Sequence, residues 1–247
     1  MHKRYAVAAA LCGAAILAVV PEAAMAQKAA GALGEGAMSG RVIQLVLLMT
    51  VLSLAPGILM TITSFTRIIV ALSLLRSGLG VQGVPPNPVV ISLALFLSFF
   101  VMAPTFDAAW KDGMVPYNQG RINEMQALDR ASKPFHTFML KQVRDDDVKL
   151  FVQLSGKVPA SRAELPMTTL MPAFMISELR RAFEIGFLLL LPFLVIDLAV
   201  AAVLMAMGMM MLPPATISLP MKIIFFVLVD GWALIAGSLV KSFGGPG

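Results

Sequence analysis

Residues 185–207 read IGFLLLLPFLVIDLAVAAVLMAM, and the only charge among them is Asp197. At about 1.5 Å of rise per residue, a helix of this length crosses the roughly 30 Å hydrocarbon core of a bilayer. The run does not alternate polar with apolar residues as a membrane strand would. Backbone inside a bilayer must satisfy its own hydrogen bonds, so the run selects a helix. Three more apolar stretches occur, at 42–63 (continuing more weakly to Leu75), 89–103 and 221–239. All but 89–103 reach spanning length, and 89–103 suits one arm of a helical hairpin. Composition agrees: 58% of residues are hydrophobic, 13% are charged and mean hydropathy is +0.85. Soluble domains carry about 25% charge, so this chain has too little polar surface to cover a globule in water. The expected fold is an all-α membrane protein with four hydrophobic segments in two helical hairpins, 41–104 and 185–241. Between them lies a helical insert, 105–184, and a tail follows at 242–247.

The start of the chain reads as a cleaved signal peptide, 1–26. Lys3 and Arg4 form a basic n-region, Ala6 to Val20 an apolar h-region, and Ala24-Met25-Ala26 a small-x-small cleavage site. Residues 27–40, rich in Ala and Gly, form a flexible lead-in. The mature terminus then starts outside. After the first segment, Arg67 and Arg76 with no acid between them mark a cytoplasmic-side turn. The second segment returns outside, so the 105–184 insert is periplasmic, and the last two segments go in and out again.

The insert holds most of the acids, including Asp145, Asp146 and Asp147. That triplet fits a solvated helix start, where carboxylates oppose the dipole, better than a metal site. Phe135, Phe138, Met139, Val148, Phe151 and Val152 suggest amphipathic helices. Cys12 falls in the leader, so the mature chain has no thiol chemistry. His136, beside Phe135, suits packing rather than ligation. No phosphate-binding loop, His-Glu-x-x-His motif or hydrolase triad occurs. No catalytic residue, metal or cofactor is expected, and the chain is not read as an enzyme. The net charge of +5 is spread among apolar segments rather than gathered into a nucleic-acid patch.

Charges at membrane depth are costly and call for partners. Glu178 and Arg181, one turn apart, are placed to pair on one helix face, as a charged cap or as groups joining subunits. Asp197 and Asp230 lie inside apolar runs. Each reads as a buried, inter-subunit hydrogen bond or as a proton relay, with the structural role preferred. Pro56-Gly57 and Pro192 are expected to bend their segments. Met205, Met207, Met209, Met210 and Met211 precede Pro213-Pro214. These can be plain apolar filler. A cluster of flexible thioethers can equally close a pore by dewetting.

Three stretches carry a resemblance. Residues 64–88 read SFTRIIVALSLLRSGLGVQGVPPNP, residues 172–187 read PAFMISELRRAFEIGF, and residues 220–232 read PMKIIFFVLVDGW. Together with Gly208 to Pro214 they resemble the FliP family of type III export-gate subunits, across most of residues 45–243. Ser77-Gly78 stands where that family commonly has Asn-Ala. The resemblance implies a subunit of the flagellar export gate at the basal body in the bacterial inner membrane. It implies a pentameric ring of this chain with FliQ-like and FliR-like subunits, working with FlhA-like and FlhB-like proteins. Unfolded rod, hook and filament proteins would be the passengers, with lipid around the ring and no nucleic acid. It also implies that Met209, Met210 and Met211 form a gasket-like pore gate. Two alternatives stand beside it: the equivalent subunit of a virulence injectisome, and a small-solute secondary transporter coupled through Asp197 and Asp230. Four segments without an inverted repeat make a poor transporter.

Overall fold

A computed structural model describes residues 45–46, 49–50, 53, 57–58, 60–81, 83–156, 159–209 and 211–244. The signal peptide, the lead-in, most of the first hydrophobic segment, Pro56 and Met210 lie outside the described residues. The chain divides into two units, 1–56 and 57–247. In the first, the described residues are helical, and the Thr50 hydroxyl donates to the Val46 carbonyl one turn back at 2.8 Å. All elements named below belong to the second, and among its described residues there is no strand.

Helix α1, Phe65–Leu79, buries Ile68, Ala71, Leu72, Leu75 and Leu79. Their three- and four-residue spacing makes one apolar stripe. Gly80 ends the helix in the left-handed region, with φ of 74°, where a Cβ would be penalised. Helix α2, Asn87–Ala109, starts beside Pro86 and Pro88, residues that suit a helix start because they have no N–H to lose. It buries Val90, Ala94, Ser98 and Met102 at every fourth position and turns Phe96, Phe99 and Phe100 outward. A π-helical turn, Trp110–Met114, and α3, Val115–Asn118, extend the rod.

Helix α4, Glu124–Gln142, opens on a capping box between Asn123 and Gln126. Helix α5, Asp145–Ser155, carries all three aspartates in its first turn. A 3₁₀ turn, Arg162–Glu164, leads to α6, Met167–Ala206, whose 40 residues pass through Pro172 and Pro192. At that length α6 measures about 60 Å. Helix α7, Pro214–Leu228, and α8, Gly231–Lys241, close the fold.

α6 is the shared spine. Its first half forms one core with α4, through Met139, Val143, Leu170, Ala173 and Phe174. Its second half contributes Phe193 to another core, with α1, α2, Phe226 of α7, and Ile235 and Leu239 of α8. α1 lies closest to α6, through paired notches. A Cβ on Gly186 would meet Leu74 Cδ1 at 2.3 Å, and one on Gly78 would meet Leu190 Cδ2 at 2.2 Å.

Three expectations change. The boundaries at 104/105 and 184/185 fall inside α2 and α6, because helical backbone runs on where hydropathy drops. The second segment is therefore no short arm: Asn87–Asn118 is one apolar helix of 32 residues. The run 221–239 is not one rod, since α7 and α8 bend by 65° at Val229-Asp230. Asp230 adopts φ of 49°, a conformation Asp tolerates better than most residues. Gly231 leaves room for the Phe226 ring, which a Cβ would meet at 2.3 Å. Among the described residues, two helices are long and apolar enough to cross a membrane, or three if the bent pair acts as one span.

Candidate functional site

Two polar clusters sit within this apolar frame. The first centres on Arg67 and Glu178, both fully buried. Arg67 Nε donates to Glu178 Oε2 at 2.8 Å, and Nη2 pairs with Glu178 Oε1. Nη2 also donates to Gln142 Oε1 at 3.1 Å, and Nη1 donates to the Ser242 carbonyl and hydroxyl at 2.9 and 3.1 Å. The Phe243 ring covers the guanidinium at 3.6 Å as a cation–π partner. Gln142 returns a bond to the Phe243 carbonyl at 3.2 Å. Every N–H of the guanidinium therefore has an acceptor, drawn from α4, α6 and the turn after α8.

The geometry corrects two expectations. Arg67 and Arg76 do not sit in a connecting turn: both are on α1, and Arg67 is buried. Glu178 does not pair with Arg181. A buried carboxylate needs several donors at once, and the Arg67 fork supplies them, while half-buried Arg181 donates to Gln142 Oε1 at 3.1 Å.

The second cluster joins α6 to α7 and α1. Asp197 Oδ2 accepts from Lys222 Nζ at 2.6 Å, and Asp197 Oδ1 accepts from Ser218 Oγ at 2.6 Å. Lys222 also donates to the Gly78 carbonyl at 3.1 Å. The Lys222 side chain is 8% exposed and that of Asp197 is 38% exposed. The cluster thus holds an ion pair open on its acid side. Asp230 is not part of it; it lies exposed at the α7–α8 bend.

Sequence reasoning singled out Asp197 but missed Lys222, Ser218, Gln142 and the Ser242-Phe243 turn. One signal was available. Asp197 stands 12 residues before Met209 and Lys222 stands 13 after it. Two helices joined by a short loop bring such equidistant residues side by side. For Arg67, whose partners lie 75, 111 and 175 positions away, no local signal exists.

The methionine loop caps the α6–α7 pair. Met205, Met207 and Met211 are exposed, Met211 almost completely at 99%, and Met209 is also open. Met210 lies outside the described residues. The Met209 amide still bonds to the Leu204 carbonyl at 3.0 Å, so the loop leaves the helix as a tight turn. In the insert, Asp147 accepts from Ser177 Oγ at 2.6 Å, and Asp145 pairs with Arg162. Both carboxylates are thus engaged with protein donors. His136 Nε2 meets the Leu165 carbonyl at 2.8 Å.

Comparison with known sequences gives a consistent picture. The sequence model of the FliP family matches residues 48–239. A flagellar biosynthetic protein FliP of Caulobacter vibrioides is 62% identical over 230 residues, covering 92% of this chain and 86% of its own length. That of Agrobacterium fabrum is 55% identical over 212 residues, covering 85% of this chain and 86% of its own. That of Bacillus subtilis is 52% identical over 202 residues, covering 81% and 91%.

Proposed function

This chain belongs to the FliP family, and from that premise we propose that it is a pore-forming subunit of the flagellar type III export gate. Its passengers are unfolded rod, hook and filament proteins crossing the bacterial inner membrane. It reaches that membrane through the cleaved signal at 1–26 and works as a pentameric ring with FliQ-like and FliR-like subunits, next to FlhA-like and FlhB-like proteins. Its role is to form a passage, with no catalytic step assigned to it.

The observation that carries this reading is the exposed methionine turn at the end of the α6–α7 pair. Met211 has almost no protein around it in a single chain and Met209 is partly open, which suits side chains meant to meet copies of themselves. Several copies around an axis would give a flexible apolar ring, tight enough to exclude ions and soft enough to yield around a polypeptide. Replacing Met209, Met210 and Met211 together with alanine is expected to leave assembly intact and let ions leak. Planar-bilayer conductance reads this directly, and a conductance equal to the parent's overturns the gate.

The pairing of Asp197 with Lys222 within one chain supports a structural use of the acid over solute coupling. Deletion of the gene separates the remaining readings. Loss of hook and filament proteins from the medium, restored by complementation, supports the flagellar gate; loss of secreted effectors alone moves the chain to an injectisome.

A further inference from the structure

The connection between α1 and α2 lies at the start of the apolar α2 rod, where a membrane would meet water. Two cavities adjoin there and share one arginine. The first, about 200 Å³, is lined by Leu72, Pro85, Val89, Leu93 and Trp232, together with Arg76. The second, about 390 Å³, is lined by Ser73, Ser77, Gly80 and Asn87, again with Arg76. An apolar hollow and a polar hollow thus meet at one partly exposed guanidinium.

No carboxylate lines either cavity. The sequence has no acid anywhere from 41 to 106, and Arg76 forms no ion pair among the described residues. Its partner is Asn87, whose Oδ1 accepts from Nη1. That bond fixes the amide so that its NH₂ group is a second donor at the same place. The other deep cations here are already balanced, Arg67 by Glu178 and Lys222 by Asp197. Arg76 keeps its charge unmatched.

We propose that the paired cavities hold one anionic phospholipid. Its phosphodiester lies on Arg76 and Asn87, and an acyl chain enters the hollow walled by Leu72, Val89, Leu93 and Trp232. The planar guanidinium suits two phosphate oxygens. Basic pockets beside membrane helices are the usual receptors for such headgroups, and a tryptophan with one apolar and one wet edge is at home at that depth. A zwitterionic choline lipid would bring a second cation beside an uncompensated one, so the site prefers a net negative headgroup. The site stands independently of the export reading and requires only the membrane.

Native mass spectrometry of the full chain in detergent tests it, with titrations of dioleoyl phosphatidylglycerol, dioleoyl phosphatidylcholine and inorganic phosphate. The parent is expected to retain one phosphatidylglycerol about tenfold more tightly than phosphatidylcholine, the weight of one charge-assisted contact. Arg76→Gln is expected to lose that preference. Val89→Trp keeps the arginine, fills the apolar hollow, and is expected to weaken both lipids. Arg76→Lys, which keeps the charge, is expected to retain most of the selectivity and serves as the folded control. Undiminished phosphatidylglycerol binding by either Arg76→Gln or Val89→Trp overturns the proposal. Displacement of the lipid by an equal concentration of inorganic phosphate overturns it as well, leaving a phosphate site without a chain.

Discussion

Removing Glu178 would strand the Arg67 guanidinium in a place with no water and no counter-ion. Glu178→Ala is therefore expected to destabilise the chain by about 3–5 kcal/mol, the usual cost of half a buried pair. The double variant Arg67→Met/Glu178→Leu is expected to recover most of that loss, since well-packed apolar residues can replace a buried ion pair. Urea unfolding in detergent, followed by circular dichroism, separates the two outcomes. Asp197→Leu is a milder case, because the acid side of that pair is 38% exposed. It leaves Lys222 with only the Gly78 carbonyl, so a loss of about 1–3 kcal/mol is expected, together with impaired assembly on native gels. Normal assembly combined with export that no longer depends on proton-motive force would instead make Asp197 a relay.

Between elements, the decisive contact is the close approach of α1 and α6. Gly186→Val is expected to cost about 1–3 kcal/mol by overpacking against Leu74. Leu74→Ala in the same chain is expected to return part of that, and thermal unfolding in detergent reads both. This scale also shows how far the sequence carried the fold. The helix over 185–207 was legible because its apolar run is long and continuous. The joining of insert and membrane segments into single rods was not, because hydropathy reports the solvent of a residue and not the continuity of its backbone. The bend at Asp230 was hidden for a related reason: the apolar run continues through it, and the Phe226 and Trp232 rings that meet across it, with centroids 5.2 Å apart, are themselves part of that run. Asp197 was conspicuous as a charge among apolar neighbours. Its partner Lys222 was equally visible but had to be matched to it across the loop.

On the scale of the whole molecule, one chain shows far more apolar surface than water would allow. Phe96, Phe100, Leu188, Leu198, Val227 and Leu228 are each more than 60% exposed. Contiguous patches of that kind mark contact with lipid or with other proteins. The single chain is therefore expected to precipitate when detergent is diluted below its micelle threshold and to stay dispersed in nanodiscs, which light scattering distinguishes. The Arg67 cluster has a consequence in time as well. Its acceptors are translated 75, 111 and 175 residues after the arginine itself. A ribosome must release Ser242 before the last two bonds can form and Phe243 before the ring can close. The cluster thus closes only once the residues after α8 have joined it. A nonsense codon at Ser242 would release a product with an uncovered cation at its centre, and pulse-chase labelling is expected to find it degraded several-fold faster than the full chain.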